Sequence, residues 1–243
     1  MTRLLVILLA LQTADAEMAR LDEYAKGQPD IAPAKIGIGD EYYKAARKFS
    51  KDRLRFMDKA SEYWAAGFPG LDDVWKDKTR ENLKKIYSSP AGAGARPVSK
   101  EWTVESVVLS GERVHSGLSA ARVAMAKDGA LHHAMKMSVN LAPGSKSVEV
   151  SAWVLTDETD SANDDLKVLI AGKDGKILAA PGAAIVADVP AWRLVKLTVP
   201  CDGGAKLSVF FEFQSSKGVA FVDDVSIKVD GKELMKDGGF EGR

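Results

Sequence analysis

The chain has 243 residues, 46% of them hydrophobic, which is the composition of a globular protein of one or two domains. Thirty-four Lys+Arg balance thirty-four Asp+Glu, so the basic excess demanded by a nucleic-acid backbone is missing. The single cysteine, Cys201, excludes an internal disulfide and a cysteine-based zinc site.

Met1-Thr-Arg is a short basic start. The apolar run from Leu4 to Leu11 is too short for a bilayer core, which takes about twenty residues. Ala14-Asp-Ala16 then supplies the small-x-small pattern of a signal-peptidase site. Residues 1–16 therefore read as a signal peptide, with the mature chain expected to begin at Glu17. A buried N-terminal strand would leave the Ala-x-Ala unexplained. An exported protein with one unpaired thiol points to a bacterial envelope, periplasmic or extracellular, more than to a disulfide-stapled module. Cys201 sits in the turn-like Val199-Pro-Cys-Asp-Gly-Gly with no His beside it, and reads as a bystander.

Residues 17–90 carry helical periodicity. A short helix is expected over Glu17 to Lys26, followed by irregular chain from Gln28 to Gly39. From Asp40 to Ala66, Tyr42, Ala46, Phe49, Phe56, Ala60 and Tyr63/Trp64 trace one face of an amphipathic helix. Asp40 is a plausible N-cap, and Gly67-Phe-Pro-Gly70 ends the helix. Asp72 or Asp73 can cap a further helix running to Tyr87, and the two should form an antiparallel hairpin. Ser88-Ser-Pro-Ala-Gly-Ala-Gly-Ala-Arg-Pro97 is small-residue chain with proline near its start and at its end, and residues 91–97 read as a linker.

Beyond the linker, over residues 98–243, the period becomes two. Val148, Val150, Ala152 and Val154 alternate with Glu149, Ser151 and Trp153, and Leu207, Val209, Phe211 and Phe213 alternate with Ser208, Phe210, Glu212 and Gln214. Turn signals separate such runs at Lys127-Asp-Gly, Ala142-Pro-Gly-Ser, Gly172-Lys-Asp-Gly and Cys201-Asp-Gly-Gly. The expected fold class is α+β: a helical hairpin followed by an antiparallel β-sandwich.

Several segments of this half carry a family likeness. They are Trp102-Thr-Val, His115-Ser-Gly-Leu-Ser-Ala-Ala-Arg-Val, Val148-Glu-Val-Ser-Ala-Trp-Val, Trp192-Arg-Leu-Val, Gly218-Val-Ala-Phe-Val-Asp-Asp-Val-Ser-Ile and Gly238-Gly-Phe-Glu241. The series resembles the galactose-binding-like jelly rolls, particularly the carbohydrate-binding modules of bacterial xylanases and glucanases. The helical half resembles no family. In those modules Gly-Phe-Glu usually opens the domain, whereas here it closes the chain. Either it is the stub of a second module, or the tail folds back beside the first strand; the proximity of jelly-roll termini favours the second. The resemblance also implies a structural calcium, whose matching carboxylates are Asp223, Asp224 and Glu241, with Glu101 a spatial possibility. The competing reading is that Asp223 and Asp224 end a strand in solvent.

The period-two pattern makes a separate suggestion. If the valine and phenylalanine rows face the core, Trp153, Glu149, Glu212, Gln214, Phe210, His132, Lys136, Ser138 and Asn140 point outward. One tryptophan among hydrogen-bonding groups is the kit of a sugar site. The same face could instead be solvated, or the helices could cover it and bury Trp153. His132 and His133, adjacent on a strand, point to opposite sides and cannot chelate one metal together. No Gly-x-Ser-x-Gly, P-loop or dinucleotide fingerprint occurs. The expected function is an exported, non-catalytic protein whose jelly roll binds a glycan or another envelope component. The alternative is a structural or protein-interaction subunit without a sugar site, and a hydrolase is the third reading.

Overall fold

The computed structural model describes residues 13–88, 102–104, 107–124, 132–159, 166–179, 189–201, 204, 206–215, 217–235, 238 and 240. The expected linker at 91–97 and most of the expected signal peptide lie outside these residues. Two compact units divide the chain, Met1–Leu71 and Asp72–Arg243.

The first unit is helical. Helix α1 (Ala14–Lys26) starts where Thr13 accepts a hydrogen bond from the Ala16 amide at 3.2 Å, so it runs through the Ala14-Asp-Ala16 segment. Helix α2 (Ala32–Lys48) begins with proline in its first turn, where a missing N–H costs nothing. Helix α3 (Arg53–Gly67) follows after a short 3-10 turn, Ser50–Asp52. The single helix expected from Asp40 to Ala66 is thus two helices, broken at Phe49 (φ −110°, ψ 73°). Phe49 and Phe56 stack across the break with centroids 5.6 Å apart. They stay on one apolar stripe, which is why the spacing concealed the interruption.

Within this unit the packed hairpin is α2 with α3. Gly39 permits the close approach, since a Cβ there would lie 2.6 Å from the Trp64 indole. Asp40, expected as a cap, sits within α2 and accepts the Trp64 indole N–H at 3.1 Å. Tyr42, Phe56, Trp64 and Phe68 are fully buried, and the Tyr42 hydroxyl donates to Asp22 at 2.5 Å.

The second unit opens with helix α4 (Asp73–Tyr87), capped by Asp72, whose side chain accepts the Trp75 amide at 2.9 Å. Eleven strands among the described residues follow. They are β1 (Thr103–Val104), β2 (Val107–Ser110), β3 (Ala120–Ala124), β4 (His132–Asn140), β5 (Ser147–Asp157), β6 (Leu166–Ala171), β7 (Ile177–Ala179), β8 (Arg193–Pro200), β9 (Lys206–Phe213), β10 (Val219–Val229) and β11 (Lys232–Glu233). Sheet I has the order β1-β4-β9-β6-β7, and sheet II the order β2-β3-β10-β5-β8, with β11 beside β10. Every pairing is antiparallel. The alternating apolar residues of both sheets meet in one core that includes Val150, Val154, Val168, Val209, Phe211, Phe213 and Val222. The fold is α+β with an antiparallel sandwich, as the change of period predicts.

Helix α4 is fastened to the sandwich by charge. Arg80 Nε reaches Asp157 Oδ1 at 3.1 Å, and Arg113 reaches Asp157 Oδ2 at 3.0 Å. Lys84 pairs with Glu158 at 3.0 Å, and the Tyr87 carbonyl accepts the Val114 amide at 2.9 Å. The tail also joins the sandwich. Phe240 is buried in the core beside Trp102, and its carbonyl accepts the Ser119 hydroxyl at 2.8 Å. The Val225 amide donates to the Gly238 carbonyl at 2.8 Å, and a Cβ on Gly238 would meet the Val225 carbonyl oxygen at 1.8 Å. Gly238 and Phe240 thus fold back onto the sandwich, in line with the second account of the tail; residues 239 and 241 lie outside the described residues.

Candidate functional site

The outward residues of the period-two pattern do not share one face. Strand β5, with Glu149 and Trp153, belongs to sheet II, while β4 and β9, with Lys136 and Glu212, belong to sheet I. The core lies between them. Alternation tells which side chains leave a strand on its outer side, but not which sheet the strand joins.

On sheet II, Trp153 is only 8% exposed and offers no open platform. The loop after β2 folds across it, and the His115 ring lies on the indole with centroids 4.0 Å apart. Trp192 meets His115 edge-on, and Tyr87 of α4 meets Trp192 the same way. Trp153 is therefore covered by the loop between β2 and β3, and α4 reaches this aromatic stack through the Tyr87–Trp192 contact. Lower on this sheet, Glu149, Ser151, Lys196, Thr198, Ser226 and Lys228 border a shallow depression of about 190 Å³.

The acidic pair sits behind the same loop. Asp223 is fully buried. Its Oδ2 accepts the amides of His115 (2.9 Å) and Ser116 (3.2 Å), and its Oδ1 accepts the Asp224 amide (2.8 Å). Asp224 Oδ1 accepts the Ser116 hydroxyl, and Oδ2 meets His115 Nδ1, both at 2.7 Å. Burial, reinforced by repulsion from Asp224, pushes the Asp223 carboxyl well above the usual carboxylate range. Burial acts on Asp224 too, but hydrogen bonds from His115 and Ser116 outweigh it and hold that carboxyl below the usual range. All four oxygens thus accept protein donors, and no group of three metal-ligating side chains occurs among the described residues. Asp223 and Asp224 alone supply at most four of the six to eight oxygens that calcium takes. Glu241 and Glu101 lie outside the described residues.

Sheet I carries the larger concavity, a groove of about 510 Å³. Its shape follows from register. Lys136, Phe210 and Leu169 stand side by side on β4, β9 and β6, and the next row is Ser138, Ser208 and Ala171. A row of short side chains beside a row of long ones leaves a trough across the strands. The β6–β7 turn, Gly172-Lys-Asp-Gly, and exposed Ile177 border it on one side, and Lys206 on β9 closes another. The Lys136 ammonium lies 5.1 Å from the Phe210 ring centroid, which fixes a half-exposed aromatic beside the trough. Glu212 lines the far end.

Of the residues expected to form a sugar site, Lys136 and Glu212 come together here, with Phe210 and Ser138. Gln214 follows β9 half-buried and does not line the groove. A register shift lies between His133 and Met135, and His132 pairs with Phe213. Lys173, Lys206, Leu169 and Ile177 were not singled out from sequence. Neighbouring strands in the sheet are far apart in the chain, so only the pairing brings these residues together.

No protein-family model and no curated protein sequence matches the chain. Solved structures similar to it include carbohydrate-binding modules. One described as a family 16 carbohydrate binding module is 13% identical, covering 51% of this chain and 85% of that one, with a TM-score of 0.39. The CBM22-1 xylan-binding domain of Paenibacillus barcinonensis Xyn10C is 14% identical over 57% of this chain and 96% of its own, also at 0.39. A CBM61 module in complex with β-1,4-galactotriose is 12% identical over 54% and 89%, at 0.37. Among the described residues no helix is long and apolar enough to cross a membrane.

Proposed function

We propose that the sandwich is a non-catalytic glycan-binding module of an exported protein and that the groove on sheet I is its site. The observation that carries the reading is the row Ser138-Ser208-Ala171 beside the half-exposed Phe210 ring. A trough of this kind admits a flat pyranose ring edge-on to the sheet, with an aromatic face for its C–H groups and hydroxyls and ammonium groups for its oxygens. Export rests on the basic-apolar-small order of residues 1–16.

A second reading has its own support. The cover that His115 places over Trp153, backed by Trp192 and Tyr87, is what a structural or protein-interaction subunit requires of that face. A glycan array on the full chain, repeated with Phe210→Ala, separates the two. Saccharide signals lost in the variant support the module, and a blank array with folded protein supports the interaction subunit.

A further inference from the structure

The charge of the groove is not the charge of the chain. Lysines and arginines equal aspartates and glutamates over the whole sequence. Around the trough, however, Lys136, Lys173 and Lys206 stand against one lining carboxylate, Glu212. The lysines come from three separate places: the middle of β4, the β6–β7 turn and the start of β9. They surround the concavity rather than clustering at one edge. All three are exposed, so their ammonium groups remain hydrated and can exchange water for a ligand's anionic group. Asp174 of the same turn is not among the lining residues, and its carboxylate accepts the Lys176 amide at 3.1 Å.

We propose that this groove selects an acidic oligosaccharide, one bearing carboxylate or sulfate groups, over a neutral one of the same shape. The inference rests on the glycan-binding reading above. The Lys136 ammonium lies over the Phe210 ring, so an anionic group of a sugar that meets this aromatic also meets a cation, while Lys173 and Lys206 lie along the other walls. Spacing between them suits successive charged units of a chain better than a single ion, because no two of the three lie side by side in register.

The test is isothermal titration of the full chain with four probes. They are an oligogalacturonate, its fully methyl-esterified form, a sulfated oligosaccharide of neutral backbone and a single-stranded oligonucleotide. The oligogalacturonate or the sulfated probe is expected to bind about tenfold more tightly than the ester, with affinity falling as salt rises. Whichever of the two binds identifies the anionic group. Lys173→Gln and Lys206→Gln should each weaken binding about two- to fivefold, the range for an exposed charge pair. Phe210→Ala should remove most of it, and Lys196→Gln, on sheet II, should change nothing. If the ester binds equally well without salt dependence and Phe210→Ala abolishes it, the groove stands and its selectivity for charge falls. If no saccharide binds, both fall. Acidic binding that survives Phe210→Ala, or that the oligonucleotide matches, is diffuse ion exchange and overturns the inference.

Discussion

His115 lies nearly parallel to Trp153, with ring planes 15° apart, while its Nδ1 meets Asp224 Oδ2 at 2.7 Å. One side chain thereby covers an indole and ties down a carboxylate. The side chain of His115 is itself only 5% exposed, so the loop it belongs to is part of the packed structure.

Trp153 therefore behaves as a core residue. Trp153→Ala should destabilise the protein by about 3–5 kcal/mol, the range for truncating a buried aromatic. Urea unfolding measures this, and glycan binding in the folded variant should persist, because the groove is on the other sheet. A loss under about 1 kcal/mol would return Trp153 to the surface.

Asp157 holds α4 through Arg80 and the sandwich loop through Arg113, and the Arg113 side chain is only 6% exposed. Asp157→Ala leaves buried positive charge without its partner, which costs about 3–5 kcal/mol. Limited proteolysis should then cut within α4 before the strands. Unchanged stability and an intact helix would show that the pair does not fasten it.

Phe240 and Gly238 lie where tails usually fray. Phe240→Ala should cost about 3–5 kcal/mol, and removal of residues 237–243 should lower the melting temperature further. Gly238→Ala should also destabilise, because its Cβ would overlap the Val225 carbonyl. A truncated chain melting with the full one would reduce the tail to a stub.

The acidic pair predicts a pH dependence. Asp224 is held below its usual range, so its contribution is complete above an unfolded value near 4 and is lost as pH falls through the folded value. Asp223, pushed up, contributes with the opposite sign: its stabilisation is full below that value and lost as pH rises through its folded one. In urea titrations across acidic pH, Asp224→Asn should remove the loss at the acid end. Calcium should leave the melting temperature of the full chain unchanged, since these carboxylates are already committed. A calcium-dependent rise abolished by Asp224→Asn would reinstate the metal.

The sandwich was legible because alternation and glycine turns are local signals, and Asp72 as a cap was legible for the same reason. Two features were not. The break at Phe49 keeps helical phase, so a stripe from Tyr42 to Trp64 looks continuous. The assignment of Trp153 and Lys136 to opposite sheets depends on pairings across the chain, and one bulge at Ala134 is enough to move His132 to the Phe213 position. The groove itself is a property of register, which no single strand records.

The Ser119–Phe240 hydrogen bond spans 121 residues of sequence, and it seals the same core that β2, β3 and Trp102 line. No N-terminal portion of the sandwich can complete that core by itself, however early it leaves the ribosome. Loop closure over such distances is slow compared with helix formation, so α1 to α3 are ordered while the strands still wait for their last partner. During synthesis that core consequently lacks its last side chain until residue 240 arrives, and that interval is when a holding chaperone has something to grip.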